Sequence, residues 1–282
     1  MRHQVAISLG ALGDFLLTLP LLRELSQHSP VAVIARSAYR ALCPDWLTGH
    51  PFLAVDGAAG TQLFTPNARF SSPLAGTVAG AVIQVFAAED NLLRTNLLGH
   101  GAHRVVFHPP RPTQPPHIVQ RFFATADIAP PADWLSSPTM PAAPAGDALW
   151  IHAGSGSPAK SLPLPFLARC AQCWQAETGL PLVVSFGEAD LPLRGPLRDA
   201  FARAGTAYEE LVCPSLGELR TALARRTKRY LGADTGVTHL AAALGKEVLV
   251  GFRITDPHIW QPIGNCRVLR PDDFTDTWST PA

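Results

Sequence analysis

The sequence predicts an α/β protein built from two parallel-sheet domains. Three observations predict it. Short apolar runs alternate with helix-length segments in both halves of the chain, a proline-rich stretch separates the halves, and polar or glycine-bearing turns sit where predicted strands meet predicted helices. The length of 282 residues suits two domains, and a hydrophobic content of 47% is enough for two cores.

In the first half, Val5-Ala-Ile-Ser-Leu reads as a short strand. A glycine turn follows, then a helix over about residues 14–27, where Phe15, Leu19, Leu22 and Leu25 recur at helical spacing. Pro20 falls inside it and is expected to kink it or tighten its first turns. Val31-Ala-Val-Ile-Ala is the next strand, so the chain opens as a Rossmann-like β-turn-α-β unit. Residues 40–100 carry weaker patterns, with Ala81-Val-Ile-Gln-Val-Phe as a buried strand and Arg104-Val-Val-Phe as another. Prolines crowd residues 109–165, and residues 135–147 have little periodicity and many Pro, Ala and Ser. That stretch is the expected linker between a domain of residues 1–140 and one of residues 147–282, with the last residues packing back on the first domain. The second half restarts the alternation: strand 149–152, helix 164–178, strand 182–186, helix 216–226 and strand 228–232. A short helix after Asp234-Thr235-Gly236 comes next, with Ala241, Ala242 and Ala243 letting it lie close on a sheet and Gly245 ending it, before the strand Val248-Leu-Val-Gly-Phe. Two such halves imply a cleft, with ligands beyond the carboxyl ends of the strands.

Net charge is +1, which gives no electrostatic case for nucleic acid or an anionic membrane. No apolar run approaches the roughly 20 residues of a membrane span. The opening Met1-Arg-His-Gln leads into a short strand broken by glycines rather than a signal peptide, so a cytoplasmic protein is expected, with peripheral contact at the inner membrane as an option. Of the five cysteines, Cys170 and Cys173 form a lone C-x-x-C in a helical pattern; no second pair or nearby histidine completes a zinc site, and all five are expected to be buried or half-buried thiols. No Asp-x-Asp pair or His/Cys cluster offers a cation site, so neither metal nor cofactor is expected.

Three strand-end turns carry the chemistry. Asp234-Thr235-Gly236 lies where a strand's carboxyl end meets a helix's amino end, which offers free N–H groups and a positive dipole to a phosphate. Gly236 permits close backbone approach, and His239 lies one helical turn further on. Asp234 and Thr235 read equally as helix caps, and His239 as a satisfied core histidine. Gly154-Ser-Gly-Ser-Pro-Ala-Lys160 is a loop of N–H and hydroxyl donors, including Ser155 and Gly156, with a lysine to meet phosphate. Alone it reads equally as a solvated loop. Asp14, after Gly13 at the first turn, reads from sequence as an N-cap. After the strand ending at Phe186, Glu188 or Asp190 is placed to accept paired ribose hydroxyls, the alternative being an exposed acidic turn.

In their order and separations, the segments Leu9-Gly-Ala-Leu-Gly-Asp-Phe, Ile151-His-Ala-Gly-Ser-Gly-Ser-Pro-Ala-Lys and Tyr230-Leu-Gly-Ala-Asp-Thr-Gly-Val-Thr-His resemble glycosyltransferase family 9, the ADP-heptose:lipopolysaccharide heptosyltransferases. The resemblance covers most of the chain, and its third segment is the most specific. It implies an α/β GT-B fold, two Rossmann-like domains facing a central cleft. It implies metal-independent, inverting transfer of a heptose or related sugar from ADP-heptose to a lipopolysaccharide core sugar or another glycan, the acceptor being a glycan or a lipid-linked glycan. It places Asp14 as catalytic base and Lys160 at the donor phosphates, and it matches Asp234, Thr235, Gly236 and His239 to D-[ST]-G-x-x-H. Thr255-Asp256-Pro257 matches a T-D-P that closes the donor pocket. His117 and Arg121 match a weaker H-x-x-x-R, although two polar residues on the surface are the simpler reading.

The chain departs from the family pattern at Ser8, where arginine is usual, at Ser161-Leu162, where a basic residue and tryptophan are usual, and at Arg253-Ile254, where Gly-Pro is usual. Arg253 either adds a phosphate contact or marks a different donor. These departures keep open a GT-B transferase with another sugar nucleotide, an epimerase or hydrolase of that fold, and a non-catalytic nucleotide-sugar-binding protein.

Overall fold

The computed structural model describes residues 2–142 and 144–275. The chain divides into two compact units, Met1–Trp134 and Leu135–Ala282. The first unit runs β1 (Gln4–Ser8), α1 (Leu12–Ser26), β2 (Val31–Ala35), α2 (Asp45–Thr48), β3 (Phe52–Ala54), α3 (Ala58–Leu63), α4 (Ser72–Val78), β4 (Val82–Phe86), α5 (Asn91–Gly99), β5 (Arg104–Phe107) and α6 (Ile118–Ala126). Its five strands are all parallel, in the order β3-β2-β1-β4-β5. The second unit runs β6 (Ala148–His152), α7 (Leu164–Thr178), β7 (Leu182–Phe186), α8 (Arg194–Arg203), β8 (Glu209–Val212), α9 (Leu216–Arg226), β9 (Thr227–Ala233), α10 (Gly236–Ala243), β10 (Glu247–Gly251), α11 (Pro257–Trp260) and β11 (Cys266–Leu269). Its six parallel strands lie in the order β11-β10-β9-β6-β7-β8.

Both orders are doubly wound. The strand order reverses between β1 and β4 in the first sheet and between β6 and β9 in the second, and such switch points open a crevice at the carboxyl ends of the strands. The central strands explain why helices cover both faces: every residue of β2, β6 and β7 is buried, which a sheet wet on one face would not allow. In the first unit Val5, Ile7, Ile34, Ile83 and Val85 pack with Leu74, Leu93 and Leu97. In the second, Trp174, Phe166 and Phe201 close over Leu149, Ile151, Val184 and Leu231.

Helix α1 begins two residues earlier than the sequence suggests and runs through Pro20 as one helix, with Pro20 buried. Residues 135–142 and 144–146 are not a free linker. Leu135 O accepts from Gly264 N at 2.9 Å, Met140 N donates to Ala243 O at 3.0 Å, and Gly146 N donates to Thr227 O at 3.1 Å, all within the second unit. Lys246, only 2% exposed, donates to Pro144 O and Ala224 O at 2.7 Å each and so ties this stretch to the end of α9. The expected return of the last residues onto the first domain concerns residues 276–282, outside the described ones. Cys170 is buried, Cys173 and Cys266 are half-buried, but Cys213 is exposed, contrary to expectation, because it lies just past the edge strand β8. Burial pushes the Cys266 thiol up to about 12 and the Cys170 thiol higher still, so neither is a thiolate near neutral pH.

One histidine makes the first unit acid-sensitive. His108, wholly buried, stacks on Phe86 with ring centroids 4.7 Å apart and meets Phe122 edge-on at 5.5 Å. Its Nε2 lies 2.8 Å from Gln84 Oε1, an acceptor, so Nε2 carries the proton. Nδ1 is buried without a partner among the described residues, so a second proton there would have no acceptor. Burial pushes the pKa down to about 4. The unfolded chain, with an ordinary histidine near ~6.5, binds more protons between those values, so stability falls as pH drops from ~6.5 to ~4 and then levels. The full loss is on the order of 3 kcal/mol. Urea unfolding at neutral and acid pH should show this slope, and His108→Gln should flatten it; an equal slope in both proteins would assign the acid sensitivity elsewhere.

Candidate active site

The switch point of the second sheet gathers most of the candidate donor residues. Strand β9 ends at Ala233, and Thr235 caps α10, its Oγ1 accepting from Thr238 N at 3.4 Å. Thr238 is held in turn by Ala233 O at 2.6 Å and by the buried Tyr230 hydroxyl at 3.1 Å. This brace fixes the first turn of α10, whose free N–H groups begin at Gly236. At the other end Gly245, with φ +74°, makes the left-handed exit that ends the helix.

Asp234 is the centre of the cluster. It is 7% exposed, and its carboxylate accepts from Lys160 Nζ at 2.8 Å and Thr255 Oγ1 at 2.7 Å, with His239 Nε2 at 3.4 Å. Burial alone would raise this carboxyl. The hydrogen bonds and charges of His239 and Lys160 outweigh burial and hold it well below the usual carboxylate range. Three chain segments far apart in sequence therefore meet on one anion: the loop after β6, the turn after β9 and the loop after β10. His239, 5% exposed, is a core histidine with its polar edge on this site. Asp256 caps α11, accepting from His258 N at 2.9 Å, and so ends the segment that carries Thr255.

The loop after β6 is braced internally. Ser155 Oγ donates to Ser157 O and lies 3.2 Å from Ser161 Oγ, while Gly156 stands in open space. Lys160 reaches the cluster from the far end of this loop with its side chain 30% exposed.

The two acidic candidates after β7 part company. Glu188 is exposed and available to a ligand. Asp190 is buried: Oδ2 accepts from Gly187 N at 2.9 Å and pairs with His152 Nε2 at 3.4 Å. Its other oxygen presses on Gly154, where an added Cβ would lie 1.9 Å away. Behind it His152 Nδ1 and Trp150 Nε1 both reach Ser185 Oγ at 2.9 Å. Burial pushes His152 down, opposed by the Asp190 charge. Sequence reasoning missed this chain of groups. Its signal was the polar pair at i and i+2 in an otherwise apolar strand, Trp150 and His152, which share one face of β6.

In the first unit Asp14 is the third residue of α1, not its cap; Ala11 holds that place, and Asp14 Oδ2 accepts from Ala11 N at 2.9 Å. Gly10 makes room for it, since a Cβ there would lie 2.5 Å from Asp14 Cβ. Tyr39 stacks on Phe15 and donates to Gly10 O at 3.3 Å, holding the turn from below. Ser8 is buried, its hydroxyl without a partner among the described residues. His117 and Arg121 are not surface decoration: His117 is buried and caps α6, and Arg121 donates to the carbonyls of Gln114, Pro115 and Pro116.

Residues 208–269 match the family model described as Glycosyltransferase family 9 (heptosyltransferase). That segment is similar to glycosyltransferase family 9. It contains β9, the Asp234 turn, α10 and the Thr255 loop, which is most of the cluster described above. The fold of the whole chain is that of family 9 structures. A glycosyltransferase of family 9 from Veillonella parvula aligns with a TM-score of 0.73 at 14% identity, over 96% of this chain and 86% of that one. The E. coli ADP-heptose lps heptosyltransferase II gives 0.70 at 15% identity, over 98% and 95%. The E. coli heptosyltransferase WaaC with ADP gives 0.64 at 18% identity, over 95% and 93%. No curated protein matches the chain. The two parallel sheets are thus those of the GT-B heptosyltransferase structures. Among the described residues no helix is long and apolar enough to cross a membrane, and no group of three or more His, Cys, Asp and Glu is placed to hold a metal ion.

Proposed function

We propose that the protein transfers a heptose from ADP-heptose to a sugar of the lipopolysaccharide core, with inversion and without a metal ion. The observation that carries the reading is the Asp234 cluster at the switch point of the second sheet, within the family 9 segment. In this reading the second unit holds the donor. The N–H groups of α10 and Lys160 meet the diphosphate, the Gly154–Lys160 loop wraps it, and Glu188 accepts from the ribose. Asp234 is the anchor that aims Lys160 and Thr255, more than a direct sugar ligand, since its oxygens already have partners. Thr255 and Asp256 close the pocket from the β10 side. The first unit supplies Asp14, which takes the acceptor hydroxyl's proton as that oxygen attacks the anomeric carbon and ADP leaves. The transition state has oxocarbenium character, as in glycoside hydrolysis, and preorganised donors on the diphosphate favour the charge that develops there. A lipid-linked acceptor would bring the protein to a membrane surface.

Calorimetric titration with ADP, GDP and UDP, with and without EDTA, tests the reading. The expected result is an EDTA-insensitive preference for ADP, with Lys160→Ala raising the ADP Kd about tenfold to a hundredfold. Preference for another nucleotide would keep the transferase and discard the donor. No nucleotide binding would leave a non-catalytic protein, and an unchanged Kd in Lys160→Ala would remove the lysine from the phosphate site.

A further inference from the structure

The donor site holds less positive charge than its lysine suggests. Lys160 is ion-paired with Asp234 at 2.8 Å, and the carboxylate is nearly buried, so the lysine's charge is largely compensated before any ligand arrives. A nucleoside diphosphate brings two or more negative charges to the same loop. The N–H groups at the start of α10 supply only a partial charge.

The loop after β10 carries a second cation to this place. Arg253 Nη1 donates to the carbonyl of Ser161, the residue next to Lys160, at 2.8 Å. Two residues on, Thr255 Oγ1 donates to Asp234 at 2.7 Å. The loop is therefore tied at one point to the backbone of the phosphate loop and at another to its anchoring carboxylate. Arg253 is exposed and has no ion-pair partner among the described residues. A guanidinium has five N–H donors, so one bond to Ser161 leaves the rest of the fork available. The neighbouring Ile254 is 63% exposed, so the loop has no packing of its own that would explain the arginine.

We propose that Arg253 is a diphosphate ligand: one N–H holds the Ser161 carbonyl and the free edge of the guanidinium takes phosphate oxygens of the donor and of the leaving nucleoside diphosphate. This rests on the nucleotide-donor reading above. Arg253 supplies the uncompensated charge that Lys160 does not, and its planar fork joins the two loops across the ligand. A lysine, a point charge on a flexible stem, would not serve both partners at once.

The test is titration of wild type, Arg253→Gln and Arg253→Lys with ADP and with adenosine, at two ionic strengths. Arg253→Gln is expected to weaken ADP about tenfold or more and to leave adenosine unchanged. The dependence of the ADP Kd on salt should also become shallower in that variant. Arg253→Lys should recover part of the loss. Equal ADP affinity in wild type and Arg253→Gln overturns the proposal, and so does a parallel loss of adenosine, which would mean that the loop had collapsed. If wild type prefers a different nucleoside diphosphate, the same comparison is made with that nucleotide and its nucleoside. If wild type binds none, the donor reading has failed, and the proposal falls with it before any variant is compared. The melting temperature of Arg253→Gln should match wild type, because the side chain is exposed.

Discussion

Asp14→Asn is expected to lower turnover by roughly 10²–10⁴-fold while leaving the donor Kd unchanged. The substitution separates chemistry from structure. Asp14 does one structural task, accepting the Ala11 N–H at 2.9 Å in the first turn of α1. An asparagine oxygen accepts the same bond, so the turn keeps its shape. What is lost is the capacity to take a proton. Asp14→Ala loses both, and its melting temperature should fall by the amount that a lost helix-end bond implies, about 1 kcal/mol. Initial rates, calorimetric donor binding and thermal unfolding on the same three proteins decide the matter. A turnover unchanged in Asp14→Asn would leave the carboxylate as a helix-end bond and nothing more. A donor Kd that rises with the turnover loss would make Asp14 a binding residue.

The parts of the fold legible in the sequence are those where one signal dominates. The strands β1, β2, β4, β6, β7 and β10 are central or nearly so, buried on both faces, and read as apolar runs. Helices α7 and α9 were legible because their buried residues recur at helical spacing. Of the four edge strands only β5, Arg-Val-Val-Phe, was legible. Strand β8 is Glu-Glu-Leu-Val, β11 is Cys-Arg-Val-Leu and β3 is only Phe-Leu-Ala; each lies at an edge of its sheet, so its residues carry little apolar pattern. The site divides in the same way. Lys160, Asp234, His239 and Thr255 each stand out in the sequence by their turns and by the family pattern, and the structure brings all four together. Their mutual pairing was not legible, because a lysine and an aspartate 74 positions apart carry no mark of contact. The different burial of Glu188 and Asp190 was not legible either, because two acidic residues in one short turn do not reveal which is covered.

Gly154→Ala is expected to damage both the stability and the ligand loops of the second unit. A Cβ at this position would lie 1.9 Å from Asp190 Oδ1, 2.2 Å from Cγ and 2.8 Å from Cβ. Asp190 has little freedom to withdraw, because Gly187 N and His152 Nε2 hold its other oxygen and Ser185 holds His152. Either the loop after β6 moves or the buried pair breaks, so the cost is about 3 kcal/mol or more. The loss should reach nucleotide binding as well as stability. Asp190 touches the start of the loop that ends at Lys160 and the turn that carries Glu188, so it sets the spacing of the two. A double-mutant cycle with Asp190→Ala isolates the contact. In that background only the Cβ contact remains, and Gly154→Ala should cost much less than it does alone, in unfolding free energy and in ADP affinity alike. Costs that simply add would mean that the loop yields without disturbing Asp190, and the spacing of the two donor loops would then have to be set by the Asp234 cluster alone.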